Sequence, residues 1–429
     1  MSLNFVTREF SQMACYENFI PDTQRVGLKI QTFLDQNLQN LMGQPTESTI
    51  LVITIVCESS EVHWHTQFQE FLKSAATRFK KIVIIFNSFY KPFDLQFEHV
   101  SEILYVDFFL YKVYHSINVS KRVTASSSWN KKNQKILFMT GKPNKIHRTR
   151  LLYKLLNSPI TKYLSWSYIV KANEYDASRV FLHDLTQDQQ DKFLNTSQQR
   201  LDDNFGTRWG TTGLQFNIDI YRDSLFQIIS ETDFDRPYSN AWITEKIWLS
   251  IANHLPFVIA GELTTLSILR RLGFNTFENY MDIPNYDDPD SDNFLCYSPG
   301  SGKIGFFENL CSQGGWRDFY QRIKDKSWPD ECSVEQIKTL PKNWQQEIET
   351  QYINPIQSWS EIRLDAIVEN AVSFHKNIDK YANHIAQDVD NNYQKFMSIA
   401  KKNQSELENF CRRHSLVCDE VSQLFSNFY

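Results

Sequence analysis

Thr49-Ile50-Leu51-Val52-Ile53-Thr54-Ile55-Val56-Cys57 is a nearly unbroken run of β-branched and aliphatic residues. A strand with one face in water alternates apolar and polar side chains; a strand covered on both faces does not. The run therefore reads as a doubly buried strand of a parallel sheet. Lys81-Ile82-Val83-Ile84-Ile85-Phe86 repeats the pattern, and Ile103-Leu104-Tyr105-Val106 gives a third, shorter copy. A helical stretch from about Thr66 to Phe79 separates the first two, and helical spacing from Val26 to Leu41 predicts a leading helix. Strand, helix and strand in alternation is the mark of an open, doubly wound α/β domain.

The segment from Val119 to Lys132 is polar, serine-rich and basic, and reads as a linker. After it the alternation restarts. Lys135-Ile136-Leu137-Phe138-Met139 predicts a strand, Thr140 to His147 a loop, and Arg148 to Leu156 a helix. Phe226 to Ser230 predicts another strand, Thr244 to Asn253 a helix, Pro256 to Ala260 a strand, and Leu263 to Leu272 a helix stopped by Gly273. Regularity breaks down from Tyr286 to about Ser358, and helical spacing returns from Glu361 onward. The expected organisation is an amino-terminal Rossmann-like domain (1–125), a second Rossmann-like domain (133–285), an inserted subdomain (286–358) and carboxy-terminal helices (359–429).

The bulk composition fits that outline. A chain of 429 residues exceeds one ordinary core, and 41% hydrophobic with 22% charged residues is globular. A net charge of −5 gives no broad electrostatic reason to hold nucleic acid. No stretch is apolar for long enough to span a bilayer, and the first residues lack a signal's apolar core. The seven cysteines are scattered without a CxxC pair, so a reducing cytoplasm is the expected location. Cys411 and Cys418 are expected on one straight helix, two turns apart, too far for a disulfide.

The residues able to carry chemistry concentrate between Ser230 and Phe277. Ser230-Glu231-Thr232 sits at a strand end, Thr244-Glu245-Lys246 opens a helix, and Leu255 to Gly261 is an apolar strand with its stop. Leu269-Arg270-Arg271-Leu272-Gly273-Phe274-Asn275-Thr276-Phe277 closes the series. A nucleotide-sugar donor needs a carboxylate for its ribose hydroxyls, and cations or helix amino termini for its pyrophosphate. Glu245 and Lys246 are where such groups face a ligand, and Thr244 either caps the helix or contacts phosphate. As a bare dipeptide, Glu-Lys more often decorates a solvent-facing first turn.

These segments resemble the α-1,3-fucosyltransferase-like family of GT-B glycosyltransferases, including its phage and bacterial relatives. The resemblance rests on Thr244-Glu245-Lys246, the strand Pro256-Phe257-Val258-Ile259-Ala260-Gly261 and the Leu272-Gly273-Phe274-Asn275-Thr276-Phe277 segment. It also rests on Phe138-Met139-Thr140-Gly141-Lys142-Pro143-Asn144-Lys145-Ile146-His147-Arg148, similar to the family's N-G-R-P-x-x-H-R loop. Thr140 and Lys142 depart from the family's Asn and Arg. The resemblance covers about residues 135–281. It implies two Rossmann-like domains facing a cleft, with Glu245 on the ribose, Lys246 on the phosphates and Arg148 clamping phosphate. Gly141, Lys142, His147, Thr244 and Glu231 complete the implied donor site, with no cofactor and no essential metal.

The amino-terminal domain is expected to supply the catalytic base. Open parallel sheets bind ligands beyond the carboxyl ends of their strands, and the first strand leads into Glu58, Glu61 and His63. A carboxylate or imidazole there can deprotonate an acceptor hydroxyl; an ordinary polar loop would look the same. Asp233-Phe234-Asp235 mimics a DxD metal triplet, and Gly300-Ser301-Gly302-Lys303 mimics a phosphate loop but lacks its outer positions. The expected function is transfer of a sugar from a nucleotide-sugar to a hydroxyl of a glycan, a protein or a modified nucleic-acid base. A glycosyltransferase-like binding protein without catalysis is the alternative.

Overall fold

The computed structural model of the chain describes residues 50–55, 72–77, 79–87, 97–119, 135–140, 146–170, 178–179, 181–182, 184–199, 201, 209–210, 213–214, 220–221, 223–231, 234, 243–261, 265–284, 286, 354–414 and 418. The chain forms two compact units. The first comprises Met1–Tyr111, Asn309–Glu349 and Lys401–Tyr429; the second comprises Lys112–Glu308 and Thr350–Ala400.

In the first unit, β1 (Ile50–Ile55), β2 (Lys81–Asn87) and β3 (Glu102–Val106) lie side by side in sequence order, all parallel. The three runs are therefore strands of one parallel sheet, as their unbroken apolar character predicts. Residues 72–76 are helical between the first two, with Leu72 and Ala75 buried. Val83 and Ile85, and Leu104 and Val106, alternate onto common faces. They share a core cluster with Phe108, Leu407, Phe410 and Cys411.

A helix the sequence reading did not anticipate follows β3: α1 (Phe108–Val119). The expected linker start at Val119 is thus a helical residue. Its sequence, FFLYKVYHSINV, is apolar around most of its circumference, so it shows no clean 3.6-residue stripe. Its start is fixed by Asp107, whose Oδ1 accepts the Leu110 amide at 2.7 Å in the manner of an N-cap.

In the second unit, β4 (Lys135–Met139) leads into α2 (Ile146–Leu156) and then β5 (Leu164–Ser167). Next come α3 (Gln187–Thr196) and the short antiparallel pair β6 (Trp209–Gly210) and β7 (Gly213–Leu214). The run closes with β8 (Ser224–Ser230), α4 (Glu245–Ala252), β9 (Phe257–Ala260) and α5 (Thr265–Arg271). The sheet order is β5-β4-β8-β9, every pairing parallel. All seven β8 residues are buried, as a central strand requires. Missed in the sequence were β5, whose Leu-Ser-Trp-Ser carries two serines, and α3. The latter is announced by a capping box between Thr186 and Gln189.

A 60-residue helix, α6 (Asn354–Arg413), ends the described chain; its residues to Ala400 belong to the second unit and those from Lys401 to the first. Within the second unit it holds the segment after α5 by side chains that imitate backbone pairing. Asn392 accepts the Asn275 amide at 2.7 Å and donates to its carbonyl at 2.8 Å; Asn370 does the same for Ile283, both at 2.9 Å. Phe374 packs its ring against Phe226 and Phe277. Gly273 stops α5 with a φ of +84°, the left-handed value that glycine adopts at least cost.

Cys411 and Cys418 form no disulfide, as expected, although not for the reason of helical spacing. The helix that carries Cys411 ends at Arg413, before Cys418. Cys418 packs against the cluster that contains Cys411, and no disulfide joins the two. Among the described residues, no helix is long and apolar enough to cross a membrane.

Candidate functional site

The second sheet contains a reversal. From β4 the chain moves out to β5 on one side, and β8 returns to pair with the other side of β4. In an open parallel sheet, the crevice at the carboxyl ends of two such strands is where ligands bind, because the connecting loops part there. Here those ends carry Thr140 after β4, and Ser230 and Glu231 closing and following β8.

Two helix amino termini arrive at the same edge. His147 and Arg148 are in the first turn of α2, and both are buried. Arg148 Nη2 donates to the Glu231 carbonyl at 3.0 Å, and His147 Nε2 lies 3.0 Å from the same oxygen. A carbonyl only accepts, so this contact assigns the proton to Nε2 of His147.

Thr244 is the N-cap of α4. Its hydroxyl donates to Glu231 Oε2 at 2.5 Å and accepts from the Lys246 amide at 3.4 Å and the Lys246 ammonium at 3.2 Å. The Lys246 ammonium lies 3.1 Å from Glu245 Oε1 and 3.5 Å from Glu231 Oε2. Both uses read for Thr244 in the sequence start from this position, and the cap is the one the structure displays. The competing reading of Lys246 as decoration of a solvent-facing first turn is corrected: only 10% of its side chain is accessible.

The charges are coupled. Burial pushes the Glu231 carboxyl above the usual carboxylate range; Lys246 and Thr244 oppose this without cancelling it, and Glu245 adds to it. Burial also works against the Lys246 charge. The carboxylates of Glu245 and Glu231 outweigh burial and the like charge of Arg148, so the ammonium is held above its ordinary range. Lys246 and Arg148, cations from two different helices, thus both meet Glu231, one near its carboxylate and the other at its carbonyl.

Two hydroxyls at this edge have no hydrogen-bond partner among the described residues: Thr140 Oγ1 and Ser230 Oγ, both buried. Buried polar atoms are almost always satisfied, so a pair of orphans at the strand ends marks a place where an added polar group gains hydrogen bonds. Gly261, at the end of β9, is crowded against the same edge. A Cβ there would lie 3.0 Å from Thr265 Oγ1, 3.1 Å from Ile259 Cγ2 and 3.5 Å from Glu231 Cγ.

Of the expected donor residues, the structure brings together His147, Arg148, Glu231, Thr244, Glu245 and Lys246. Gly141 and Lys142 lie outside the described residues, as do Glu58, Glu61 and His63, Asp233 and Asp235, and Gly300 to Lys303. Among the described residues, no three His, Cys, Asp or Glu side chains gather in a way that could hold a metal ion. The sequence reading did not single out Ser230 and Thr140 as site hydroxyls, although both close strands it had identified. It also passed over Phe234, whose ring stacks on His147 with centroids 5.1 Å apart. No family model, curated protein or solved structure matches the chain.

Proposed function

We propose that this chain is a metal-independent glycosyltransferase of GT-B architecture that moves a hexose-type sugar from a nucleotide-sugar donor to an acceptor hydroxyl. The single observation that supports it most is the meeting of Arg148 and Lys246, from two helix amino termini, at the switch point between β4 and β8. A diphosphate relieves their mutual repulsion, and helix amino termini add favourable dipoles for the same anion. Glu245 is the carboxylate for the ribose hydroxyls, in keeping with the family the sequence resembles. The donor leaves as a nucleoside diphosphate, its negative charge growing as the glycosidic bond to phosphate breaks, and Lys246 and Arg148 stabilise that charge. The base that takes the acceptor's proton comes from Glu58, Glu61 or His63 of the amino-terminal domain.

A thermal-shift screen against UDP- and GDP-sugars tests the donor half, because a ligand that binds only the folded state raises its melting temperature. Arg148→Ala and Glu245→Ala are each expected to weaken binding by roughly 1.5–3 kcal/mol, the worth of a charge-assisted hydrogen bond. Chelator is expected to leave turnover unchanged. No shift with any nucleotide-sugar, or loss of turnover with EDTA restored by manganese, contradicts the proposal as stated. Binding without transfer to any acceptor points instead to a binding protein on the same scaffold.

A further inference from the structure

Arg363 is 1% exposed, on α6, more than a hundred residues beyond the residues it touches. A guanidinium keeps its charge in the interior, and burying it is costly unless its donors are met. An apolar side chain of similar volume is often at least as stabilising, so bulk stability does not explain an arginine at this place.

What Arg363 does with its fork is specific. Nη1 donates to the Phe234 carbonyl and Nη2 to the Gly261 carbonyl, each at 2.7 Å. Those carbonyls belong to the segments that leave β8 and β9 at their carboxyl ends, so one planar group sets the spacing between the two exits. The guanidinium carbon also lies over the Phe234 ring, 4.1 Å from its centroid.

Both contacts lead back to the site. Phe234 stacks on His147 at an interplanar angle of 20°, and His147 donates to the Glu231 carbonyl. Gly261 follows Ala260, whose carbonyl accepts the Glu231 amide at 2.8 Å. Glu231 in turn holds Thr244 and Lys246 through its carboxylate. Two routes of direct contact therefore run from the fork to one residue, and from it to the first turn of α4.

We infer that Arg363 is a positioning residue for the nucleotide-diphosphate site, setting Glu231, and through it Thr244 and Lys246, by way of Phe234, His147 and Gly261. This rests on the proposed donor site for its functional meaning, while the positional claim stands on the contacts alone.

The test uses the full-length chain and Arg363→Lys, which keeps the charge but replaces the planar fork that meets both carbonyls. The measurements are calorimetric titration with UDP and with GDP, thermal unfolding, and NMR of the imidazoles in histidine-labelled protein, with His147 assigned by a His147→Gln variant. Arg363→Lys is expected to unfold cooperatively, bind the better diphosphate about tenfold more weakly, within the range by which a residue that touches no ligand modulates a site, and shift the His147 resonances. A lowered melting temperature with unchanged affinity and unmoved His147 signals overturns the inference, since that is what a merely structural arginine gives. If the wild type binds neither diphosphate, the donor reading fails, and the His147 signals alone then decide the positional claim. Should Arg363→Lys not fold, Arg363→Gln, which keeps Phe234 and a side-chain donor but not the two-pronged fork, takes its place: the same His147 shift is expected, and its absence overturns the inference.

Discussion

The two parallel sheets end in contrasting ways. In the first unit the described strands follow one another in order, β1-β2-β3, with no reversal among them; in the second, β5-β4-β8-β9 reverses at β4 and β8. At the carboxyl end of β3, Asp107 is buried, but its chemistry is turned inward. Its carboxylate caps α1, and its amide and carbonyl are both taken by the Asn403 side chain at 3.0 and 3.1 Å. At the carboxyl end of β8, Glu231 is equally buried, yet it gathers His147, Arg148, Thr244 and Lys246 beside two unsatisfied hydroxyls. The same architecture thus yields a satisfied joint where the described strands run in order and, where the order reverses, a buried charged strand end with two unpartnered hydroxyls, the candidate crevice.

The largest expected effect sharpens that contrast. Lys246→Ala leaves the buried Glu231 carboxylate beside Glu245 without its cation, and breaking a buried pair by removing one partner costs about 3–5 kcal/mol. Denaturant unfolding should show that loss together with loss of diphosphate binding. Unchanged stability would mean that the crevice charges are solvated after all.

A smaller effect is expected at the satisfied joint. Asn403→Leu removes both side-chain bonds to Asp107 and should cost about 1–3 kcal/mol of stability, while affinity for UDP or GDP stays at the wild-type value. A drop in affinity in a variant that remains folded would break the distinction between joint and crevice.

The smallest effect is one of sign with pH. Glu102, at the start of β3, is held below the usual carboxylate range: burial opposes its charge, but hydrogen bonds and charge from Arg413 and His414 prevail. Its contribution to stability is present above its ordinary value of 4.5 and is lost as pH falls through its lowered folded value. Glu231 is raised, so the folded state binds its proton more tightly than the unfolded chain does. Its contribution is greatest below 4.5 and declines as pH rises toward the raised folded value. Stability measured against pH should therefore show Glu102→Gln costing progressively more, relative to wild type, as pH rises from acid to neutral. Glu231→Gln should become relatively less harmful over the range above 4.5. Parallel curves for the two variants would contradict the opposed environments.

Much of this was legible in the sequence for a physical reason. Strands covered on both faces must be continuously apolar, which is why Ile82–Ile85, Ile136–Met139 and Phe257–Ala260 stand out. The helix starts after strands drew attention to Arg148, Thr244, Glu245 and Lys246 because anion sites recur there. Hidden were elements without a clean period, such as α1, and the polar-looking β5. Hidden too were residues whose role depends on distant partners. Phe234 reads as filler between two aspartates, and Arg363 as one more charge on a long helix, until folding places one against the other.

Hydrogen–deuterium exchange, with and without a saturating nucleotide-sugar or nucleoside diphosphate chosen by the thermal-shift screen, tests the central claim most directly. The account predicts new protection in peptides covering the starts of α2 and α4, residues 146–150 and 244–248, and in the strand end at 229–231. Protection confined to the β1–β3 sheet, with those three segments exchanging as in the free protein, would contradict it.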